Sequence, residues 1–439
     1  MKGLLFCRNT LLLVCSLMVL SCSKEIDGSD VTLLNSDKEI LEFSFLTSEN
    51  GELETNITAN IDQLKNTVSV VLPFGIPIIA LKPSIVVSEG ATIVQNIDTT
   101  FDFSEPIVYS VLAEDGSTKD YTISVRVVTS TAREILTSFF NQNPDNTLGW
   151  NLENEDVSTW EGVVVVDDKV VALELNEKGL TVLPPEICDL FYLKTLSLES
   201  NSITEIPKQI EDLSNNLRTL NLGANLIEAI PEEFFSLRKL VEFRIYTNQL
   251  TEIPVSIESL KELRELSISN NTLEEVPSEL FNLTELNVLF MNNIGLTEIP
   301  EEITKLSKLT ALGVSSNPIG TISEHILSLQ SLTSLDMYNT NLTSIPSDIV
   351  KLTNLVRLQL SGNMLANIDT SMGDMFHLEY LYLRTNMIEM VPNQLSNLIN
   401  LKVLDLSENG IVSMPIAVCD LVNTGTEILS DDGVTCSTR

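Results

Sequence analysis

Histidine, aromatic residues and basic residues are all scarce in this sequence. Its 439 residues include 2 histidines, and aromatic side chains make up 5% of the chain. So few histidines leave little material for a histidine metal site or for acid–base chemistry near neutral pH. Lysine and arginine together number 26 against 61 acidic residues, which gives a formal charge of -35. A surface this acidic repels phosphate backbones, so we expect no nucleic-acid partner.

Sequence motifs for catalysis are missing as well. The sequence contains no G-x-S-x-G, G-x-G-x-x-G, H-E-x-x-H, C-x-x-C or P-loop pattern. Cysteine numbers 6, in a chain too long for a small disulfide-stapled scaffold. We therefore predict a binding protein rather than an enzyme, with no catalytic residue, no metal site and no cofactor.

The first 21 residues have the composition of an export signal. They carry Lys2 and Arg8, and the apolar run Leu11–Leu20 is too short to span the roughly 30 Å hydrocarbon core of a bilayer. The run is followed by a serine and then Cys22, and this V-L-S-C ending resembles the lipobox of bacterial lipoproteins. The resemblance implies cleavage before Cys22 and lipidation of its thiol, and two or more acyl chains anchor a protein stably. An ordinary secretory signal with an incidental cysteine is the alternative.

Residues 22–36 are polar and are predicted to form a tether. They begin C-S-K-E-I-D, which resembles the lysine-plus-acid tag that some Gram-negative lipoproteins use for transfer to the cell surface. The two resemblances together imply a lipid-anchored protein of the outer membrane, exposed at the cell surface.

Residues 37–130 read as an all-β domain. Short alternating runs of β-forming residues lie at Ile40–Leu46, Thr67–Leu72, Ser84–Val87, Ile107–Ala113 and Tyr121–Val128. Asp115 and Gly116 suit a hairpin between the last two runs, so we expect an antiparallel sandwich. The segment from Tyr109 to Val125 resembles the Ig-like modules that follow the anchor in many surface lipoproteins, which implies a spacer. An independent glycan- or protein-binding domain is the alternative.

Residues 131–169 are predicted to cap the N-terminal end of a solenoid. Thr131–Phe140 has the pattern of an amphipathic helix, and the chain's tryptophans, Trp150 and Trp160, follow it. The first turn of a solenoid exposes its core, so this segment is expected to cover it. A ligand-binding role for the tryptophans is the alternative.

From residue 170 to 416 the sequence repeats L-x-x-L-x-L-x-x-N-x-L, the pattern of a leucine-rich repeat. The repeats begin at Val170, Leu193, Leu217, Leu240, Leu263, Leu286, Leu309, Leu332, Leu355, Leu378 and Leu401. Every interval is 23 residues except the 24 between Leu193 and Leu217, where we expect a loop bulge. The predicted fold is multidomain: an N-terminal all-β Ig-like sandwich followed by an α/β solenoid of eleven repeats with a parallel concave sheet.

The asparagine and proline positions of the repeat are assigned to the scaffold. Asparagine amides satisfy backbone groups where the chain leaves each strand, so we expect weaker turns at Ile294 and Thr340, which replace asparagine. Proline stands at the fourteenth residue beyond nearly every repeat start and fails at Ser323 and Asp369. The recurring Ile-Pro-x-x-Ile-x-x-Leu block resembles repeats of the Shoc-2 and plant intracellular Ras-group proteins, which implies an interaction scaffold.

The tail, residues 417–439, loses the repeat and is predicted to cap the C-terminal end. Cys419 and Cys436 are candidates for a disulfide, and the alternative is that both are free. His325 is interpreted as a solvated convex residue, too far from Cys188 for a nucleophile–base pair because six repeats separate them.

The concave sheet is the predicted binding surface. It should expose the second, fourth and sixth residues beyond each repeat start, and most of these are small or polar. Aromatic residues and arginine dominate protein-interface hot spots, although isolated surface aromatics are also normal. The predicted ligand-binding residues are Tyr246, Phe290, Tyr338, Arg357, Tyr380, Tyr382 and Arg384.

These patterns favour a lipid-anchored recognition protein whose concave face binds a protein or peptide. Two alternatives stay open. One is a glycan-binding accessory protein in nutrient uptake, because tyrosine rings stack on sugars; the other is an envelope scaffold without a soluble ligand.

Overall fold

The computed structural model describes residues 34–437, which form a β-domain, a cap and a solenoid. Cys22 and the predicted leader lie outside the described residues, so lipidation stays a prediction. No helix within residues 34–437 is both long enough and apolar enough to cross a bilayer.

The β-domain consists of two small sheets that share one core. Its strands are β1 Ile40–Phe45, β2 Ile57–Thr58, β3 Asn60–Asp62, β4 Thr67–Leu72, β5 Ser84–Val87, β6 Thr92–Ile93, β7 Ile107–Leu112 and β8 Thr118–Val127. One sheet has the order β2-β1-β5 and the other the order β3-β4-β8-β7-β6. Phe43, Tyr109 and Tyr121 are fully buried between them.

The prediction of an antiparallel β-domain is wrong at one pairing. β7 and β8 form the expected antiparallel hairpin, and Gly116 lies in its turn at φ +84°. β4, however, pairs with β8 in parallel, from Thr67 beside Thr122 to Leu72 beside Val127. Alternation of polar and apolar residues reveals which face of a strand is buried, but it carries no information on strand direction when no short turn joins the pair.

The cap covers the first repeat with aromatic side chains. It contains α1 Ala132–Gln142, a 3₁₀ helix Val157–Thr159 and the antiparallel strands β9 Val163–Val166 and β10 Lys169–Glu174. Thr131 and Glu134 form a capping box at the start of α1. The rings of Trp150 and Trp160 stack with centroids 4.9 Å apart, and both side chains are buried in the core that continues into the solenoid.

The solenoid is built on one sheet of 13 strands. β10 is followed by β11 Thr195–Ser197, β12 Thr219–Asn221, β13 Glu242–Arg244, β14 Glu265–Ser267, β15 Val288–Phe290, β16 Ala311–Gly313, β17 Ser334–Asp336, β18 Arg357–Gln359, β19 Tyr380–Tyr382, β20 Val403–Asp405 and β22 Glu427–Leu429. Strand β21, Ser413–Pro415, lies outside this sheet. From β10 onward neighbouring strands are parallel, and residues one repeat apart are paired. The predicted parallel sheet is therefore confirmed.

Short helices form the convex side. Most are 3₁₀ helices, at Pro185–Asp189, Lys208–Leu213, Glu232–Ser236, Val255–Ser259, Ser278–Asn282, Glu301–Lys305, Ser347–Lys351, Thr370–Asp374 and Asn393–Asn397; α2 is Glu324–Leu327. The repeating proline is the residue before each 3₁₀ helix and makes no side-chain cap. Where proline is missing, Ser323 and Asp369 cap the helix with side-chain hydrogen bonds to Ile326 and Ser371. Ser323 and Asp369 therefore start their helices at the same repeat position as proline does, through side-chain capping.

An asparagine ladder ties each repeat to the one before it. The Asn248 amide donates to the carbonyl oxygens of Leu222 and Ile245, at 2.9 and 3.1 Å, and accepts from the Ile227 amide at 2.9 Å. Thr340 keeps part of this arrangement, because its hydroxyl donates to the Met337 carbonyl at 3.0 Å. Ile294 is buried but offers no polar group, so the ladder lacks one member there.

The extra residue of the second repeat serves the β-domain. Asn215 lies in the predicted bulge, and its amide exchanges two hydrogen bonds with the backbone of Thr58, at 2.9 and 3.0 Å. Beside it, Arg126 at the end of β8 pairs with Asp189 and Asp212 at 2.8 and 2.6 Å. Burial raises the pKa of Asp212, and Arg126 opposes that rise. The β-domain is thereby docked on the flank of the first two repeats.

Further contacts at this junction are apolar and charged. Phe191 of the first repeat is 4% exposed and belongs to the core of the β-domain. Asn60 donates to Glu211, and Lys169 pairs with Glu54. Cavities of about 270 and 260 Å³ lie at the same junction, away from the concave face.

The C-terminal end closes with a disulfide. Cys419 and Cys436 are bonded, with their Cα atoms 6.3 Å apart. Strands β21 Ser413–Pro415 and β23 Thr435–Ser437 pair beside the bond, and the segment between them holds α3 Ile416–Cys419 and a 3₁₀ helix, Asp420–Thr424. Cys188 is free and buried, and its burial raises the pKa of the thiol.

Candidate functional site: the concave face

The repeat places every predicted ligand-binding residue on the concave face. From β11 to β20 each strand buries its central residue, as Phe243 lies buried between the partly exposed Glu242 and Arg244 in β13. In some strands the third residue is buried as well, as Ser267 is in β14. This follows from the two-residue period of a β-strand. The exposed positions are the ones expected from the sequence, so each strand presents side chains at fixed spacing along an open surface.

The structure divides the predicted residues into two groups. Tyr246 lies near the N-terminal end of the face, four repeats or about 19 Å from Tyr338 at 4.8 Å per strand. Tyr338, Arg357, Tyr380, Tyr382 and Arg384 lie in three consecutive repeats, and we call these five residues the C-terminal patch. Phe290 lies between the two groups.

The N-terminal group satisfies its own polar atoms. The Tyr246 hydroxyl donates to Glu199, and the second oxygen of that carboxylate accepts from the Asn221 amide at 2.8 Å. Arg244 pairs with Glu265 at 2.5 Å and with Glu242 at 3.3 Å. Burial, followed by the Glu199 carboxylate, raises the pKa of Tyr246 to about 12. This group therefore has few unused donors or acceptors for a ligand.

In the C-terminal patch, Arg357 connects two neighbouring strands. Its guanidinium carbon lies 4.7 Å from the centroid of the Tyr382 ring, within cation–π range. Its Nε lies 3.6 Å from an Asp336 carboxylate oxygen, which is longer than a hydrogen bond. Strand pairing sets Arg357 beside Tyr380 and Gln359 beside Tyr382. The arginine is thus held over an aromatic face without a strong ion pair.

The other members of the patch differ in how freely they face solvent. Tyr338 is 48% exposed, and no hydrogen bond joins the hydroxyl of Tyr338 or Tyr382 to another of the described residues. Arg384 is paired with Glu408, and Lys402 lies 5.7 Å from the Tyr380 ring centroid. The tyrosines therefore provide the patch with its unused contact surface.

Glycine in a neighbouring repeat supports each of three concave aromatics. A Cβ atom on Gly223 would lie 2.6 Å from the Tyr246 ring, one on Gly313 2.7 Å from Phe290, and one on Gly362 2.8 Å from Tyr338. The rings consequently lie close against the sheet in set orientations. Sequence reasoning missed this support, although glycine at a concave position was the available signal.

Asp336 is a concave residue that sequence reasoning also missed. One of its carboxylate oxygens is buried and accepts no hydrogen bond from the described residues. Burial raises the pKa of Asp336, and Arg357 partly opposes that rise. Its signal in the sequence was weak, because an acidic residue is unremarkable in so acidic a chain.

The described residues contain no cluster suited to a metal ion. No group of three or more His, Cys, Asp or Glu side chains within residues 34–437 is arranged to hold a metal ion. His377 is exposed and its ring bonds to the Thr353 carbonyl oxygen at 2.9 Å, while Cys188 is buried below the first repeat. What the concave face offers chemically is contact area, aromatic faces and charge.

Comparison with protein families matches three segments of the chain. Residues 40–125 match the family described as SGBP, N-terminal. Residues 169–299 match a leucine-rich repeat region, and residues 307–365 match a leucine rich repeat family. These repeat families and their solved relatives are typically binding proteins without enzymatic activity.

Similar individual proteins share the solenoid. A curated relative, osteomodulin of Bos taurus, is 31% identical over 99 residues, which cover 22% of this chain and 23% of osteomodulin. A leucine-rich repeat protein of Leptospira interrogans is 30% identical, with a TM-score of 0.56 and coverage of 61% of this chain and 68% of that one. The ectodomain of the Arabidopsis receptor kinase HAESA, in complex with the peptide hormone IDA and the co-receptor SERK1, is 27% identical, with a TM-score of 0.59 and coverage of 69% and 54%. The chain thus belongs to the leucine-rich-repeat proteins, and its solenoid follows a segment that matches the SGBP N-terminal family.

Proposed function

We propose that this protein is a lipid-anchored recognition protein of the outer membrane, exposed at the cell surface, that binds a protein or peptide through the C-terminal patch. The proposal depends above all on one observation: three consecutive repeats carry Tyr338, Arg357, Tyr380 and Tyr382 on the concave face, and the Tyr338 ring is half exposed. Catalysis has no part in it.

The patch has the size and chemistry of a peptide-binding hot spot. Three neighbouring strands extend over about 10 Å, the length of roughly three residues of an extended peptide. Tyrosine and arginine bury much area for little loss of side-chain entropy, and hot-spot residues contribute about 2 kcal/mol or more each. The glycine beneath Tyr338 orients its ring in advance, which lowers the entropic cost of binding.

The comparisons support this function at a general level. The HAESA solenoid is described with a peptide hormone bound, and this chain matches 54% of it. Peptide binding by the present chain remains our proposal, since only 27% of the aligned residues are identical.

The anchor is proposed from Cys22 and the residues that follow it. A Cys22→Ala variant should leave the membrane fraction, and protease added to intact cells should remove the wild-type protein. Retention of the variant in membranes would contradict lipid anchoring, and protection of the wild type would contradict surface exposure.

Glycan binding is the second candidate, and the match of residues 40–125 to the SGBP N-terminal family favours it. The two candidates are separated by crosslinking the full-length protein on cells, with identification of captured proteins, alongside a glycan array. Tyr382→Ala with Arg384→Ala should abolish capture of a reproducible protein partner. Phe376→Ala with Lys351→Ala is the matched control, because Phe376 is 54% exposed and both residues lie away from the concave strands. Sugar binding without any protein partner would favour the glycan candidate.

A further inference from the structure

Asp336 occupies the middle of the concave face, directly before the C-terminal patch. It ends β17 and is paired with Gly313 on one side and Gln359 on the other. Gly313 has no side chain with which to contact it. The Phe290 ring and the Asn292 amide lie over Gly313 instead, and neither donates a hydrogen bond to the Asp336 carboxylate.

Three other concave carboxylates have hydrogen-bond partners. Glu199 accepts from Tyr246 and Asn221, Glu265 from Arg244, and Asp405 from Ser407. Asp336 accepts none from the described residues, and its contact with Arg357 is 3.6 Å. A partly buried carboxylate without a donor costs free energy, so such a group in a native fold calls for an explanation.

Tyr338 provides an aromatic face on the same side of the sheet. It follows Asp336 by two residues, just beyond the end of β17, and buried Met337 lies between them, so both side chains face the concave side. Its ring lies against Gly362 and is half exposed. A cation between an aromatic face and a carboxylate receives both cation–π attraction and charge-assisted hydrogen bonds. Arg357 already makes a cation–π contact of this kind with the Tyr382 ring.

The charge of the molecule favours a basic group at this place. The chain carries a formal charge of -35. Two concave arginines are neutralised within the protein, Arg244 by Glu265 and Arg384 by Glu408. Complementary charge speeds association and selects among partners.

We propose that the concave face binds an arginine or lysine side chain of its peptide partner between the Tyr338 ring and the Asp336 carboxylate. This inference rests on the proposed function, since it specifies which peptides the C-terminal patch selects. The bound cation pairs with the exposed part of the Asp336 carboxylate and stacks on the Tyr338 ring, as Arg357 stacks on the Tyr382 ring.

The test selects a random seven-residue peptide display library on the purified full chain, and in parallel on Asp336→Asn and Glu174→Gln. Glu174→Gln is the matched control, because Glu174 is an exposed acid on concave strand β10 at the far end of the sheet. Wild type and Glu174→Gln should enrich peptides containing arginine or lysine. An enriched peptide that is resynthesised with citrulline in place of arginine should bind the wild type at least roughly tenfold more weakly. The unchanged peptide should bind Asp336→Asn more weakly by a similar factor.

Three results would overturn the inference. Peptides that keep their affinity after citrulline substitution, yet lose it on Tyr382→Ala, would refute the basic side chain and leave the proposed function standing. Enrichment of no peptide at all would overturn both. Binding of neutral cello- or xylo-oligosaccharides that is lost in Asp336→Asn would assign the carboxylate to a glycan. Unfolding temperatures show whether each variant is folded. Tyr338→Leu removes the aromatic ring but keeps an apolar contact with Gly362, and it should lower the affinity for arginine-containing peptides by the same factor as Asp336→Asn.

Discussion

The N-terminal group around Tyr246 and the C-terminal patch contain similar residues, but those residues make different contacts. At Tyr246 the hydroxyl and the neighbouring arginine are bound to Glu199 and Glu265. In the C-terminal patch, Tyr338 and Tyr382 lack such partners, and Arg357 lies over a ring instead of a carboxylate. An exposed tyrosine or arginine is therefore not by itself a sign of binding. What distinguishes the patch is that Tyr338 is half exposed and that the hydroxyls of Tyr338 and Tyr382 have no hydrogen-bond partner among the described residues.

The largest expected difference between the groups is in affinity. Tyr382→Ala should weaken binding of the captured partner by about 2 kcal/mol or more, because it removes contact area and the support for Arg357. Tyr246→Ala should change the affinity less than about twofold. Titration calorimetry with the partner measures both, and equal losses would contradict the division into two groups.

The supporting glycines should separate stability from binding. Gly362→Ala should destabilise the fold by about 1–2 kcal/mol and weaken binding, because Gly362 has φ +71° and its Cβ would displace Tyr338. Gly223→Ala should cost about 1 kcal/mol through displacement of Tyr246 from Glu199, with affinity unchanged. Urea unfolding and calorimetry check the pair; a loss of affinity in Gly223→Ala would show that Tyr246 takes part in binding.

Removal of single hydroxyl groups should give a smaller contrast. Tyr246→Phe deprives Glu199 of a donor and should cost about 1 kcal/mol of unfolding free energy. Tyr382→Phe removes a hydroxyl without a described protein partner and should leave the stability unchanged. Urea unfolding of the two variants is sufficient, and equal stabilities would mean that the Glu199 contact contributes nothing.

The smallest effect is spectroscopic. The pKa of Tyr246 is raised to about 12, so its native state favours the protonated phenol. The resulting stabilisation is fully present below pH 10, the usual phenol pKa, and is lost as the pH rises towards about 12. Burial also raises the pKa of Tyr109 to about 12, so ultraviolet titration of tyrosinate should show one late-titrating phenol fewer in Tyr246→Phe than in wild type. A difference curve centred near pH 10 would contradict the internal bond.

The sequence predicts most of the solenoid because the 23-residue period follows from the burial of leucine in every repeat. Leucines such as Leu240 must be buried on every strand, and the two-residue alternation then fixes which side chains face the concave surface. It also indicates the cap and the residues of the candidate site. Their division into two groups depends on which carboxylates come within hydrogen-bond distance, and that is a property of packing.

Other features lie beyond sequence reasoning for similar reasons. The parallel pairing of β4 with β8 joins strands far apart in the chain, and no turn specifies it. Ser323 and Asp369 looked like lost prolines, but capping chemistry keeps their helices in place. Asp336 became visible as a candidate only when its missing partner could be seen. The lipid anchor at Cys22 and the cell-surface location stay predictions.

The single residue inserted at Asn215 has a consequence for geometry at the membrane. Its paired bonds to Thr58, together with Arg126 between Asp189 and Asp212, oppose rotation of the solenoid about the β-domain. In the lipid-anchored protein that we propose, this junction sets the direction in which the curved surface opens relative to the β-domain. Deletion of Asn215 should alter which neighbours are reached while every concave side chain stays in place.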